Sequence, residues 1–361
     1  MTQILCLSID GWHAGMTGAF GNSWIETPTL DRLAFESAVF DRYYTDSLDL
    51  ADIFTALWTP VLSNKNHRRC LLVTDETQAT EHPLATQFDE LFHFDEPLEL
   101  KHPVMRVENT QFVRAIDALV SILETERTTH PDLFVWCHLK GFRGFWDFPM
   151  KYRNKYKDED DPVPYSDVAI PQFRQSEFDH DFMQSVLEAY CGGITVFDDV
   201  LAALLDTLSS QSSETLFALL ATRGFSLGEH HTIGTDDAIY AESVHLPLFL
   251  RFPGGQWQAT RSSALIQPAD VGAFFADGQP LRQLLETERE HHRDHLLIRN
   301  SNGERAVMTP DWFLKTVPNH PAERVELYVK PDDRWEVNDV SVRCPETVEQ
   351  LLPLCRGDDS L

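Results

Sequence analysis

The composition and charge of the chain exclude several classes of protein. Its 361 residues are 42% hydrophobic and 24% charged, which is too apolar for disorder and enough to bury one large core with a smaller unit attached. Lys and Arg number 30 against 57 Asp and Glu, so the net charge is −27. Such a charge repels polyanions, and we therefore expect neither nucleic acid nor an anionic membrane as a partner.

The N-terminal segment and the cysteines predict a cytoplasmic protein. No apolar run approaches the roughly 20 residues of a membrane helix, and no basic and apolar series resembles an export signal. Residues Ile4–Ile9 predict a buried first strand instead. The 6 cysteines lie far apart without a CxxC pair, which is typical of core thiols in a reducing compartment.

Apolar runs of strand length alternate with amphipathic segments of helical length. The predicted strands are Ile4–Ile9, Cys70–Thr74, Leu133–His138, Leu216–Ala221 and Leu246–Arg251. The predicted helices are Thr29–Ala38, Gln111–Thr125 and Glu188–Leu208. This alternation indicates an α/β fold in which a mostly parallel central sheet is flanked by crossover helices.

The pattern changes after about Gly278, which predicts a second unit. A short helical stretch, Leu281–Arg293, precedes four strand-like segments and a closing helix. These segments are His295–Asn300, Arg305–Met308, Trp312–Thr316 and Arg324–Val329, followed by the helix Pro345–Leu354. We therefore divide the chain into an α/β domain over 1–278 and a small C-terminal antiparallel subdomain over 279–361.

Polar residues follow the predicted strands at the sheet edge where α/β proteins bind ligands. They include Asp10-Gly11, Thr74-Asp75, His138–Arg143 and Thr222–His231. The carboxyl ends of parallel strands meet at one edge, so this edge is the predicted functional site.

Several segments resemble, in the right order, those of the sulfatase family in the alkaline phosphatase superfamily. They are Ile9–Asn22, Thr27–Ala34, Leu227-Gly228-Glu229-His230 and the run Tyr240–Leu248. The resemblance covers nearly the whole chain. It implies an alkaline-phosphatase-like sandwich with a small C-terminal antiparallel subdomain.

The nucleophile position departs from the family pattern. Sulfatases carry a Cys or Ser, oxidised to formylglycine, at a helix N-terminus where backbone N–H groups favour an oxyanion. Matching the surrounding segment places Leu50 at this nucleophile and Phe54 at the arginine of the family motif. Neither side chain can do the family's chemistry. A register shifted by one residue would place Asp49 there, which makes Asp49 the alternative nucleophile.

The family's divalent-metal site is also incomplete in this sequence. The resemblance implies paired aspartates after the first strand and a further pair of ligands after a later strand, because a hard cation needs several oxygen ligands. Here Asp10 is followed by Gly11, and the later pair is Thr222-Arg223. We interpret Asp10 as a remnant ligand, and we expect it to pair with Arg223 or to cap backbone N–H groups.

Two more polar positions of the family pocket are replaced. Arg143 stands where the family has histidine, and Asp236 stands where it has lysine. The cations Arg143 and Arg223 could hold an anionic small molecule without a metal, or could pair with nearby carboxylates.

These departures leave more than one functional interpretation. The first is a pseudoenzyme with a binding or regulatory role and no cofactor, whose partner is an anionic small molecule or a protein. The second is an active hydrolase of sulfuric or phosphoric esters with an altered metal site that contains Asp10. A structural subunit that pairs with an active relative is the third.

Overall fold

The computed structural model describes residues 3–65, 68–94, 100–174, 179–211, 215–235, 238–287, 293–318 and 324–357. Its strands are β1 Gln3–Ile9, β2 Ala38–Tyr44, β3 Arg69–Thr74, β4 Glu90–His93, β5 Leu133–Leu139, β6 Phe173–Arg174, β7 Thr215–Ala221, β8 Ser226–Leu227, β9 Thr232–Gly234, β10 His245–Leu246, β11 Leu248–Arg251, β12 Thr260–Ile266, β13 Leu296–Arg299, β14 Arg305–Met308, β15 Trp312–Val317 and β16 Arg324–Val329. Its helices are α1 Pro28–Phe35, α2 Leu50–Ser63, α3 Thr77–Glu81, α4 Gln111–Thr129, α5 Met150–Arg153, α6 His180–Gln211, α7 Ala241–Val244, α8 Pro268–Asp277, α9 Leu281–Thr287 and α10 Pro345–Arg356.

A nine-stranded sheet forms the centre of the larger unit, in the order β10-β2-β11-β7-β1-β5-β3-β4 with β12 paired to β2. Strands β7, β1, β5, β3 and β4 run parallel to their neighbours within this set. Parallel strands of this kind are covered by helices on both faces, and every residue of β5 and β7 is buried. The predicted α/β class with a mostly parallel sheet is confirmed.

Two predicted elements differ in the structure. The helix expected over Thr29–Ala38 ends at Phe35, and Ala38 begins β2 instead. Local periodicity missed this strand because its pairing with β11 and β12 is non-local. The strand expected over Leu246–Arg251 is divided at Pro247 into β10 and β11, since proline cannot donate to the ladder. Strand β11 is antiparallel to β7.

The C-terminal strands β13–β16 form a separate antiparallel sheet, as expected. One face packs on Tyr44, Leu48 and Val244 of the larger unit, and the other packs on α10. Helix α9 contributes Leu281 and Leu284 to the larger core. The described residues contain no helix that is long and apolar enough to cross a membrane.

Candidate functional site

The turn after β1 positions Asp10 and closes tightly around Gly11. Gly11 has φ +74, and a Cβ added there would lie 2.8 Å from Cγ and 2.9 Å from the backbone N of Arg143. The Tyr190 hydroxyl donates to the Gly11 carbonyl at 2.8 Å and accepts from the His13 N–H at 2.8 Å. This turn has no room for a second aspartate beside Asp10, because the loop of Arg143 fills that space.

Asp10 is bound by a guanidinium group, as the sequence analysis expected. Arg223 donates Nε to Oδ1 of Asp10 at 3.1 Å and Nη2 to Oδ2. The Thr222 hydroxyl also donates to Oδ1, at 3.0 Å. Asp10 is 1% exposed, and the pairing of Asp10 with Arg223 is confirmed.

Neighbouring positive charges outweigh burial in setting the pKa of Asp10. Burial alone raises the pKa of Asp10, but the neighbouring Arg223 and Arg143 guanidinium groups outweigh it and hold that pKa well below its usual range. The Nε of Arg143 lies 3.8 Å from Oδ1 of Asp10. Asp10 is therefore ionised near neutral pH and already has cationic partners.

The loop that carries Arg223 is fixed by backbone contacts. Arg223 donates Nη1 to the Leu48 carbonyl at 3.1 Å, which ties the end of β7 to the segment before α2. The next residue, Gly224, lies so close to α7 that a Cβ there would be 1.8 Å from the Glu242 carbonyl oxygen. Gly224 is thus required by a close backbone approach.

Helix α2 begins beside this site with an ordinary cap. Asp49 is the N-cap residue, and its side chain accepts a hydrogen bond from the Ala51 N–H at 2.9 Å. Leu50, the first helical residue, is 1% exposed and belongs to the core. Phe54 is fully buried and stacks on Trp58 with ring centroids 4.3 Å apart. The three positions singled out from sequence therefore hold a cap and two core side chains.

His138, one of the polar residues that the sequence places at this edge, is buried behind this helix. Nδ1 of His138 lies 2.9 Å from Oγ of Ser8, and its ring meets Phe54 edge to face at 4.8 Å. Among the described residues, Nε2 of His138 has no hydrogen-bond partner. Burial lowers the pKa of His138 to about 4, so it is neutral. Ser8 and His138 are both fully buried, and this pair cannot reach a substrate.

The donors around Asp10 do not fit a divalent cation. Oxygen ligands are required for such an ion, whereas the groups against Asp10 are the guanidinium groups of Arg223 and Arg143 and the Thr222 hydroxyl, which donates to it. Within the described ranges, no group of three or more His, Cys, Asp or Glu side chains could hold a metal ion. The remaining predicted position, Asp236, lies outside the described residues.

The Leu227–His230 segment borders a cavity of about 920 Å³ beside the C-terminal subdomain. His230 stacks on Tyr240 with centroids 3.6 Å apart and contacts Oε1 of Glu242 at 2.9 Å. Glu229 accepts from the Leu227 N–H at 2.6 Å and lies 3.2 Å from Nε2 of His13. Glu229 and His230 are therefore both used in internal bonds.

These features define an alkaline-phosphatase-like α/β sandwich with its polar site at the carboxyl edge of the sheet. The sulfatase family model matches residues 72–277, and the chain belongs to the sulfatase family.

Solved structures of low sequence identity share the fold over nearly the full chain. The phosphonate monoester hydrolase of Agrobacterium radiobacter is 13% identical with a TM-score of 0.75, covering 97% of this chain and 94% of its own. The phosphonate monoester hydrolase of Silicibacter pomeroyi is 16% identical with a TM-score of 0.74, covering 99% and 94%. A protein solved with its substrate D-glucosamine-2-N,6-O-disulfate is 14% identical with a TM-score of 0.72, covering 99% and 97%. Among curated protein sequences, none matches the chain significantly.

Proposed function

We propose that this chain is a sulfatase-family pseudoenzyme that binds an anionic small molecule and does not hydrolyse sulfate esters. The observation that carries the proposal is the Asp10–Arg223 pair, in which both carboxylate oxygens accept hydrogen bonds from one guanidinium. A divalent cation at Asp10 would have to displace Arg223 and would then face its positive charge.

The turn at Gly11 supports the same conclusion. A side chain at this position would collide with Arg143 and would need a left-handed backbone conformation. The second aspartate that the family resemblance implies after β1 therefore has no place in this turn. A metal site at this turn would be left with the single carboxylate of Asp10.

The start of α2 supports the loss of the nucleophile. Leu50 offers no nucleophilic atom, and Asp49 is exposed and bonded to the first turn of the helix. Phe54 packs where the family motif has an arginine, and its stacking on Trp58 excludes a charged group from that space.

A binding role is supported by two cationic side chains at this edge. The side chains of Arg143 and Arg223 are 11% and 12% exposed, so both lie near the surface beside Asp10. Of the solved structures named above, two are phosphonate monoester hydrolases and one holds a sulfated sugar. Proteins of this fold therefore accept anionic ligands, which supports an anionic ligand for this chain.

The proposal is tested by measuring ester hydrolysis and metal content together. The purified chain is assayed with aryl sulfate, aryl phosphate and aryl phosphonate esters, each with added Ca²⁺, Mg²⁺, Mn²⁺ or Zn²⁺. We expect no turnover above that of Asp10→Ala and no stoichiometric metal in either protein. Turnover or bound metal that disappears in Asp10→Ala would overturn the proposal and establish an ester hydrolase with an altered metal site.

A further inference from the structure

A second cavity, of about 390 Å³, lies between the central sheet and the C-terminal subdomain. Its walls come from the loop at Gly21, from β2 and β12, and from residues 308–310 and 330–334. It shares no lining residue with the Asp10 site or with the 920 Å³ cavity. We call it the subdomain cavity.

The lining of the subdomain cavity is strongly cationic. Arg42, Arg261, Lys330 and Arg334 line it, and among the described lining residues Asp41 is the one carboxylate. The chain as a whole has a net charge of −27, so a cavity lined mainly by cations differs from the rest of the molecule. Any of these cations that has no acidic partner is available to an anionic ligand.

Two of the four cations are neutralised within the protein. Arg261 donates Nε to Oδ2 of Asp41 at 3.2 Å and Nη2 to Oδ1. Lys330 donates to Oε1 of Glu336 at 2.7 Å and to the Asp333 carbonyl at 2.8 Å. These pairs leave Arg42 and Arg334 as the available cations.

The guanidinium N–H groups of Arg42 and Arg334 have no carboxylate partner among the described residues. Arg42 is partly buried, and within the described part of the chain it has no hydrogen bond or ion pair through its side chain. Arg334 donates Nη2 to the Phe20 carbonyl at 2.8 Å. Its Nη1 lies 3.3 Å from the position that a Cβ would take at Gly21. A guanidinium that has no carboxylate partner and borders a cavity can donate charge-assisted hydrogen bonds to an anion from outside.

His245 lies at the wall of the cavity. Burial lowers the pKa of His245 to about 4, and the charges of Arg334 and Lys330 act in the same direction. The ring stacks on Tyr44 with centroids 4.9 Å apart. Together with Leu265 and Met308, these rings give the cationic cavity an apolar wall.

We propose that the subdomain cavity binds a small organic phosphate or sulfate ester. The guanidinium groups of Arg42 and Arg334 hold the anionic group, since they match tetrahedral oxyanions through charge-assisted hydrogen bonds. The organic part packs on Tyr44, Leu265 and Met308. A volume of about 390 Å³ lies in the range of small-molecule pockets, so an ester fits it better than a free ion does. This inference does not depend on whether the Asp10 site hydrolyses esters.

The test is titration calorimetry on the full chain at low salt with glucose 6-phosphate, glucose 6-sulfate, inorganic phosphate and glucose. We expect an ester to bind more tightly than inorganic phosphate, glucose to show no binding, and affinity to fall as salt is added. Arg42→Gln should weaken ester binding about tenfold or more, and Arg42→Lys should weaken it less. Arg32→Gln, which changes an exposed arginine of α1, is the matched control.

Three outcomes would overturn the proposal. The first is that neither ester binds the wild-type chain, and the second is that an ester binds Arg42→Gln as tightly as wild type. The third is a loss of binding in Arg143→Gln but not in Arg42→Gln, which would place the anion at the Asp10 site. Circular dichroism establishes that each variant is folded. If Arg42→Gln does not fold, Arg334→Gln serves as the test variant with the same expected loss.

Discussion

Arg223 donates two N–H groups to the carboxylate of Asp10 where β1 and β7 end side by side. The register of the two strands pairs Ile9 with Ala221, so the residues that follow them meet at one edge. The pair buries an aspartate that is 1% exposed beside a guanidinium that is 12% exposed. Arg223 is therefore the main cationic partner of a carboxylate that would be costly to bury alone.

Removing one partner of this pair should destabilise the fold. We expect Arg223→Met to lower the free energy of unfolding by about 3–5 kcal/mol, because the Asp10 carboxylate stays buried without its main cation. The double variant Asp10→Asn with Arg223→Met should cost less than the two single losses added together. Urea denaturation at pH 7 measures these values.

The control for this cycle is Arg32→Met, which breaks an exposed pair with Asp206 whose side chains are 45% and 71% exposed. Its loss should stay within about 1 kcal/mol. If Arg223→Met costs no more than this control, the pair does not stabilise the fold as described.

Asp147 should give the stability of the protein a distinct pH dependence. Burial raises the pKa of Asp147 to about 6, and among the described residues its Oδ1 has no hydrogen-bond partner. Unfolded aspartate has a pKa of about 3.9, so the folded chain binds the extra proton between about pH 4 and 6. Stability contributed by this group is therefore lost as the pH rises through that window.

Asp147→Asn should remove this loss, since an amide stays neutral. We expect a gain of about 1–2 kcal/mol at pH 7.5 relative to wild type and little change at pH 4. Thermal unfolding across pH 4–8 measures it, with Asp117→Asn on the exposed face of α4 as the control for lost negative charge. Equal effects of the two substitutions at every pH would contradict the prediction.

Phe54 should behave as a core residue. It packs against Trp58 and His138 and is 0% exposed, so Phe54→Ala should cost about 3–5 kcal/mol through the cavity that it leaves. Phe35→Ala is the matched control, because Phe35 is 64% exposed. Chemical denaturation compares the two. A loss in Phe54→Ala as small as in the control would show that this region is not packed as the structure indicates.

Asp49 should act as a helix cap and not as a nucleophile. Asp49→Ala should lower the free energy of unfolding by about 1 kcal/mol, whereas Asp49→Asn should be nearly neutral because asparagine caps equally well. Neither variant should change the ester assay. If Asp49→Asn abolishes turnover that the wild-type chain shows, Asp49 is the nucleophile.

The parallel strands and the Asp10–Arg223 pair could be predicted from sequence for one reason. Long buried runs mark the strands, and parallel strands bring the residues that follow them to a shared edge. The motif segments placed Leu50, Phe54 and Arg143 at that edge. The structure adds the role of each side chain. Leu50 is a core residue, Phe54 stacks on Trp58, and Arg143 is a cation near Asp10.

The apolar runs in the sequence were enough to predict an α/β fold with a mostly parallel sheet, because burial on both faces leaves an apolar run that pairing partners do not alter. The likeness to sulfatases came from the motif segments. Three features follow only from the folded chain: β11 is antiparallel, Gly11 has no room for a side chain, and Ser8 lies against His138. The subdomain cavity is likewise a tertiary feature, since Arg42 and Arg334 come from opposite ends of the chain. Such contacts depend on strand direction and on packing between units, and local periodicity carries no information about either.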